Sequence, residues 1–420
     1  MTKSKNLRWW IWALAAFFYF YEYLLRVSPN VMVPELMQAF NIDAAELGIL
    51  VASFLAVYAP MQLPVGILMD RLGPRLLLTF ASLGCGIGAF IFALSSSIGQ
   101  AFAGRILIGL CSSFAFVGMV YVCSHWFEKE RRALLVGLAN SISMLGAFAG
   151  GGPLSIMVQK IGWRSSIIFW AFVGLVLAAV IYFVIRNDKQ QDVDSKPAIE
   201  TPNALLEGIK IFFSSLQNWI NALVALLVYT VTTAVGGLWG AQFIQDAYGV
   251  KKEVASFAAS MLFFGWVVGG PLMGFVSDRL RNRKFIISLG SLAILLSFAP
   301  VIYFTNMSIF WVYILIFLTG LFSSSQLICF TFATEINPHR VKGASIAITN
   351  FLVAIGGTVI QPLIGYLLQT SANKNLKTAI GSAFTVQNYK YALTVLPICL
   401  IVAWLLSLLL KDNGRKEQPF

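Results

Sequence analysis

The chain has 420 residues, of which 58% are hydrophobic and only 11% are charged. Soluble domains carry about 25% charged residues, so this composition excludes an ordinary soluble fold and describes a chain solvated by lipid. The formal charge of +12 is spread in small groups between apolar runs, which suits the basic loops of a membrane protein and excludes a nucleic-acid-binding surface.

Lys3, Lys5 and Arg8 precede an apolar run, as in a signal peptide. The run from Trp9 continues past Leu25 with no small-residue cleavage site, so it reads as a retained first helix. Twelve apolar segments follow in chain order. The first six are expected at 9–33, 46–69, 75–96, 99–124, 132–158 and 163–185, and the last six at 217–245, 253–277, 284–304, 307–333, 341–369 and 389–410. They are numbered here as spans 1 to 12. The polar stretch 187–213, with Asp188, Lys189, Asp192, Asp194, Pro197 and Pro202, reads as a cytoplasmic linker with a short surface helix near 203–213. It separates an N-terminal six-helix bundle, 1–186, from a C-terminal one, 214–420. The expected fold is therefore an all-α membrane protein of 12 transmembrane helices in two pseudo-symmetric six-helix bundles.

Of the 30 Lys and Arg residues, 21 fall on the side of the N-terminus, 7 on the other, and Arg26 and Arg105 inside spans. That bias predicts both termini in the cytoplasm. The five cysteines lie in apolar segments without a C-x-x-C pair, and His125 and His339 lack ligand spacing, so no disulfide, metal or cofactor is expected.

Landmarks recur at nearly constant spacing. Gly66-Ile-Leu-Met-Asp70-Arg71 and Gly274-Phe-Val-Ser-Asp278-Arg279 lie 208 residues apart, Pro153 and Pro362 209, and Asn140 and Asn350 210. A duplicated six-helix unit explains this, an architecture common among secondary transporters.

Between spans 2 and 3 stands Gly66-x-x-x-Asp70-Arg71-x-Gly73-x-Arg75, repeated weakly as Asp278, Arg279, Arg283 and Lys284. Gly66 allows close helix approach. The charged residues either hold the two bundles together in one state or form a solvated loop. Glu335, beside Asn337 and Pro338, reads as a further gate residue. Span 4 carries Gly104-Arg105-Ile-Leu-Ile-Gly109. An arginine there costs about 2.5–3.5 kcal/mol on insertion scales, so it needs a partner, water, or the interface. Span 5 carries Gly146, Gly150, Gly151, Gly152 and Pro153, which serve close packing and a kink.

These motifs resemble those of the major facilitator superfamily. Tyr23-Leu-Leu-Arg26-Val-Ser28-Pro29, Met61-Gln62-Leu-Pro64-Val-Gly66, the stretch from Gly104 to Gly118 and that from Asn140 to Gly152 are similar to the phagosomal nutrient transporters of intracellular bacteria. The resemblance implies uptake of amino acids or similar small polar nutrients across a bacterial inner membrane by a monomeric carrier.

Span 1 places Phe18, Tyr19, Glu22, Tyr23 and Arg26 at helical i, i+3, i+4 spacing. Glu22 lies about 18 Å along the helix from Trp10, near the bilayer midplane. A charged face there is expected to line a central cavity. Arg26 is then the ligand of a substrate carboxylate and Glu22 the proton-coupling or amine-binding group. A static Glu22–Arg26 pair that only orients span 1 stands as the alternative. Tyr58 and Gln62 on span 2, Arg105 on span 4, Tyr229, Trp239 and Gln242 on span 7, and Gln326 on span 10 are further candidates for the cavity, or glue between helices. Asn140 and Asn350 admit the same two readings.

The expected activity is alternating-access transport of a zwitterion or organic anion, driven inward by protons. The rivals are a proton-antiport exporter of drugs or siderophores and a receptor with the carrier fold. A membrane enzyme would need a cluster of catalytic groups that the chain lacks.

Overall fold

The computed structural model describes residues 2–185, 209–338, 341–372 and 384–411. Eleven helices among them are long and apolar enough to cross a membrane, from Ala44–Gln62 to Val386–Ser407. The twelfth span is the first helix, Thr2–Val27, in which tryptophans, tyrosines, Glu22 and Arg26 dilute the apolar run. The protein is a multi-pass membrane protein of two six-helix bundles. Large apolar side chains such as Leu94, Phe183, Phe275, Leu296 and Phe310 remain exposed. A lipid solvent removes the cost of leaving them there.

Span ends follow local chemistry. Asp43 accepts from Glu46 N at 2.8 Å while the Glu46 carboxylate accepts from Asp43 N at 3.0 Å, a capping box that opens span 2. Spans 2 and 3 run as 44–72 and 74–94, divided at Gly73, whose φ of 75° suits glycine. Pro74 then starts span 3. Span 1 ends earlier than the 33 expected from hydropathy. Pro29 turns the chain into a 3₁₀ segment, Ser28–Val31, and a separate helix, Val33–Phe40, follows. The linker expected over 187–213 falls, up to residue 208, outside the described residues. Residues 209–214 are helical, with Phe212 buried. His339 and the Asp70 side chain also lie outside the described residues.

The helical breaks are themselves repeated. Span 1 is interrupted at Ser28–Val31 and its repeat mate, span 7, by a π-helical segment at Thr232–Trp239. Span 4 breaks at Ser113 and span 10 at Ser324–Ser325. Matched interruptions in the two halves of a transporter mark its centre.

The halves meet along two seams. Span 2 packs on span 11, where Gly48 approaches Pro362 and Gly365 approaches Ala44. Span 5 packs on span 8. The span 5 glycines serve two neighbours at once. A Cβ at Gly146 would sit 2.1 Å from Phe20 O, and one at Gly150 2.6 Å from Leu24 O, both on span 1. Cβ atoms at Gly151 and Gly152 would meet Ser260 and Phe257 on span 8. Backbones this close gain dispersion contact that larger side chains would prevent. Gly146→Ala should therefore lower the melting temperature in detergent, at a cost of about 1–3 kcal/mol. Gly137→Ala, with nothing within 4 Å of its Cβ, is the control, and equal melting of the two variants would refute this packing.

Candidate functional site

A cavity of about 350 Å³ lies between the halves, lined from spans 1, 2, 4, 5, 7, 8, 10 and 11. Its wall includes Gln62, Phe116, Leu327, Phe330, Gly343 and Ile346, which lie toward the face where the first helix begins and the last ends. Tyr19, Tyr23, Arg26, Tyr58 and Tyr229 stand deeper. The side chains tying the halves together lie at the opposite face. Asn30 donates to Gly236 O at 2.8 Å, and its amide oxygen accepts from Ala241 N at 3.1 Å. Gly152 N donates to Ser260 Oγ at 2.7 Å, and Glu35 pairs with Lys252. The molecule is therefore closed at that far face and parted at the face of the termini.

Arg26 is the only charged side chain on the wall of the large cavity among the described residues. Its guanidinium lies over the rings of Tyr23 at 4.3 Å, Tyr58 at 4.5 Å and Phe54 at 5.2 Å. Aromatic faces stabilise a desolvated cation. Arg26 Nε donates to Glu22 Oε1 at 2.8 Å, and Nη2 binds the same oxygen. A guanidinium has five N–H donors, so donors beyond those on Glu22 remain for a ligand. Arg105 stands behind it, only 1% exposed. It donates to Leu25 O at 3.0 Å, to Arg26 O at 3.4 Å and to Val51 O at 3.5 Å. Three backbone carbonyls thus partner a charge that lipid could not accommodate. The ring of Phe54 neighbours both guanidinium groups and lies 5.0 Å from Arg105 Cζ.

The sequence matches the model of the Major Facilitator Superfamily over residues 13–360 and 222–420. The chain belongs to that superfamily. It is a secondary transporter and not an enzyme. It is 23% identical over 403 residues to the probable sulfoacetate transporter of Cupriavidus necator, covering 91% of this chain and 92% of that one. It is also 23% identical over 415 residues to the probable galactarate/D-glucarate transporter of Escherichia coli K12, covering 89% and 90%. A bacterial homolog of the human lysosomal transporter Spinster, in an inward-facing and occupied conformation, matches with a TM-score of 0.79 at 13% identity, covering 98% of this chain and 99% of that one.

Against this superfamily fold, the expected site residues separate into groups. Tyr19, Tyr23, Arg26, Tyr58, Gln62, Tyr229 and Gln326 do share the large cavity, as do Asn140 and Asn350. Glu22 does not reach its wall. It is fully buried behind Arg26, with Oε2 unpartnered among the described residues. Helical spacing puts both on one side of span 1, but the guanidinium reaches around to the cavity and the shorter carboxylate stays inside the first half. Trp239 also misses the cavity; it is fully buried and donates to Gln361 O at 3.1 Å. Gln242 lies near the far face and donates to the Asp246 carboxylate.

Charged loop residues make contacts within their own halves. Arg75 donates to Tyr182 O at 2.9 Å in span 6, while Arg71 is exposed. Arg283 bridges Asp278 at 2.8 Å and Glu335 at 3.2 Å, all in the second half, and Arg279 is exposed. The pairs of Arg283 with Asp278 and Glu335 stay within the second half. Gly66 lies in the last turns of span 2, and Pro153 sits inside the helix Lys129–Ile161.

Asn30 escaped sequence reasoning. The signal was the pair of breaks: Pro29 in span 1 and Gly236-Gly237 in span 7. A π segment frees backbone groups from regular pairing, and the Asn30 amide supplies the donor and the acceptor they need. Asn30→Ala leaves those groups unpaired and should loosen the far-face closure. A cysteine introduced at Leu55, in a background without the native cysteines, should be alkylated from that face about tenfold faster. An unchanged rate would remove Asn30 from the closure.

Proposed function

We propose that this carrier takes an organic anion bearing a carboxylate across the bacterial inner membrane, with Arg26 as the anion's anchor. The observation that carries this reading is the charge of the wall. The large cavity presents one cation, Arg26, and no acidic side chain among the described residues. A zwitterion's ammonium would find only aromatic faces and amides there. A carboxylate would find a guanidinium that keeps free donors, in a partly desolvated setting where such bonds are strong. The relatives named for sulfoacetate and for galactarate and D-glucarate, all organic anions, support the same class. The resemblance to phagosomal amino-acid carriers would call for a carboxylate partner to the amine, and Glu22 is turned away from that task.

Glu22 has a different part in this reading. Substrate competes with it for Arg26. A carboxylate deprived of its counter-ion in a buried site gains proton affinity. Loading of the anion and protonation of Glu22 would then occur together, which couples substrate to proton. The parted face is the cytoplasmic one in this reading, because the basic loops lie there. Rocking of the halves about the Arg26 site moves the opening from one face to the other.

Purified protein should bind small carboxylates and sulfonates in thermal-shift assays more tightly than neutral amino acids. Arg26→Gln should cost about 100-fold in affinity. Preference for amino acids, or undiminished anion binding by the variant, would overturn the anion reading. Glu22→Gln should keep counterflow exchange in proteoliposomes while losing accumulation driven by an inward proton gradient. Accumulation at the wild-type level would sink the coupling role. Substrate expelled against an imposed gradient would favour the exporter.

A further inference from the structure

Above Arg26, toward the closed face, lies a second and smaller chamber of about 30 Å³. One water needs about 10–15 Å³ in that measure, so the chamber accepts one or two heavy atoms beyond the guanidinium. Arg26 lines both spaces and is their junction. The chamber wall also carries Arg105, Thr233, Gly237 and Gln361.

Gln361, on span 11, is 3% exposed. Its Nε2 donates to Thr233 O at 3.0 Å, in the π-helical segment of span 7. That bond fixes the amide's orientation, because the flipped amide would set two acceptors against each other. Gly237 makes room for it: a Cβ there would stand 2.9 Å from Gln361 Nε2. The other end of the amide, Oε1, is buried and has no partner among the described residues. A buried acceptor without a donor costs free energy until one arrives. Gln361 therefore lines the chamber beside the proposed carboxylate anchor and carries, against that wall, an acceptor of fixed direction that has no donor among the described residues.

We infer that Gln361 reads a hydroxyl placed next to the substrate's carboxylate, so that the carrier selects 2-hydroxy acids over the same acids lacking that hydroxyl. This rests on the anion reading and narrows it. The carboxylate accepts from Arg26, and the neighbouring hydroxyl enters the chamber and donates to Gln361 Oε1. The chamber's size restricts the group to one close to the carboxylate.

The test compares matched pairs on full-length purified protein: lactate with propionate, malate with succinate, galactarate with adipate. In the wild type the hydroxy acid should bind at least about tenfold tighter in each pair. Gln361→Met should bring each pair within about threefold while still binding the plain acid, which reports an intact Arg26 site. Gln361→Asn, an amide withdrawn by one methylene, serves if the Met variant does not fold. Equal affinities within the pairs for the wild type, or a preference that survives loss of the Gln361 amide, would overturn this inference and leave the anion reading standing. Failure of wild-type protein to bind either member of any pair would instead bring down the anion reading and this one with it.

Discussion

A cation held in the middle of a membrane protein organises this structure. Arg26 occupies a position where lipid would impose a cost of about 2.5–3.5 kcal/mol. The fold meets that cost from three directions: Glu22 one helical turn back, aromatic rings on either side, and a cavity in front. Breaking a buried ion pair by removing one member is strongly destabilising, since the other charge is left alone. In the proposed function the same dependence would make the pair responsive, because an incoming anion would substitute for Glu22 without stranding the guanidinium.

Around that charge, polar groups do the work that apolar packing cannot do in lipid. Helices in a bilayer gain no hydrophobic drive toward one another, so close backbones and hydrogen bonds hold them. The span 5 glycines press span 1 on one side and span 8 on the other. Arg105 gathers carbonyls of spans 1 and 2. Asn30 links the 3₁₀ break of one half to the π segment of the other. This last contact joins regions that are already irregular, so parting it leaves regular helix untouched. Closure concentrated at one face, with a cavity opening toward the other, is the geometry of a molecule able to rock.

Much of this was legible along the chain. Span positions followed from the length of apolar runs, since a bilayer demands about 20 apolar residues per crossing. The 208-residue repeat was visible, but not the breaks within spans 1, 4, 7 and 10, which the structure shows in matching pairs. Tyr19, Tyr23 and Arg26 could be read as one face of a helix. What spacing could not tell was reach. Glu22 and Arg26 lie one turn apart, yet side chains of different length end in different environments. Trp239 and Gln242 are polar groups in an apolar span like Tyr229, and only their neighbours separate cavity from core. Gln361 stands next to the repeat landmark Pro362, yet nothing in the spacing marked its own side chain.

The amino-acid sequence by itself determined the solvent, the number of crossings, the duplication and the presence of an opposite-charge pair deep in span 1. Each is a property of local composition or of one helix's periodicity. Only the tertiary structure decided which face of the molecule is closed, which charge meets the cavity, and that Asn30 and Gln361 complete the interrupted span 7. Those outcomes depend on contacts between residues more than 100 positions apart, where hydrogen-bond partners are set by the packing of helices and not by spacing along the chain.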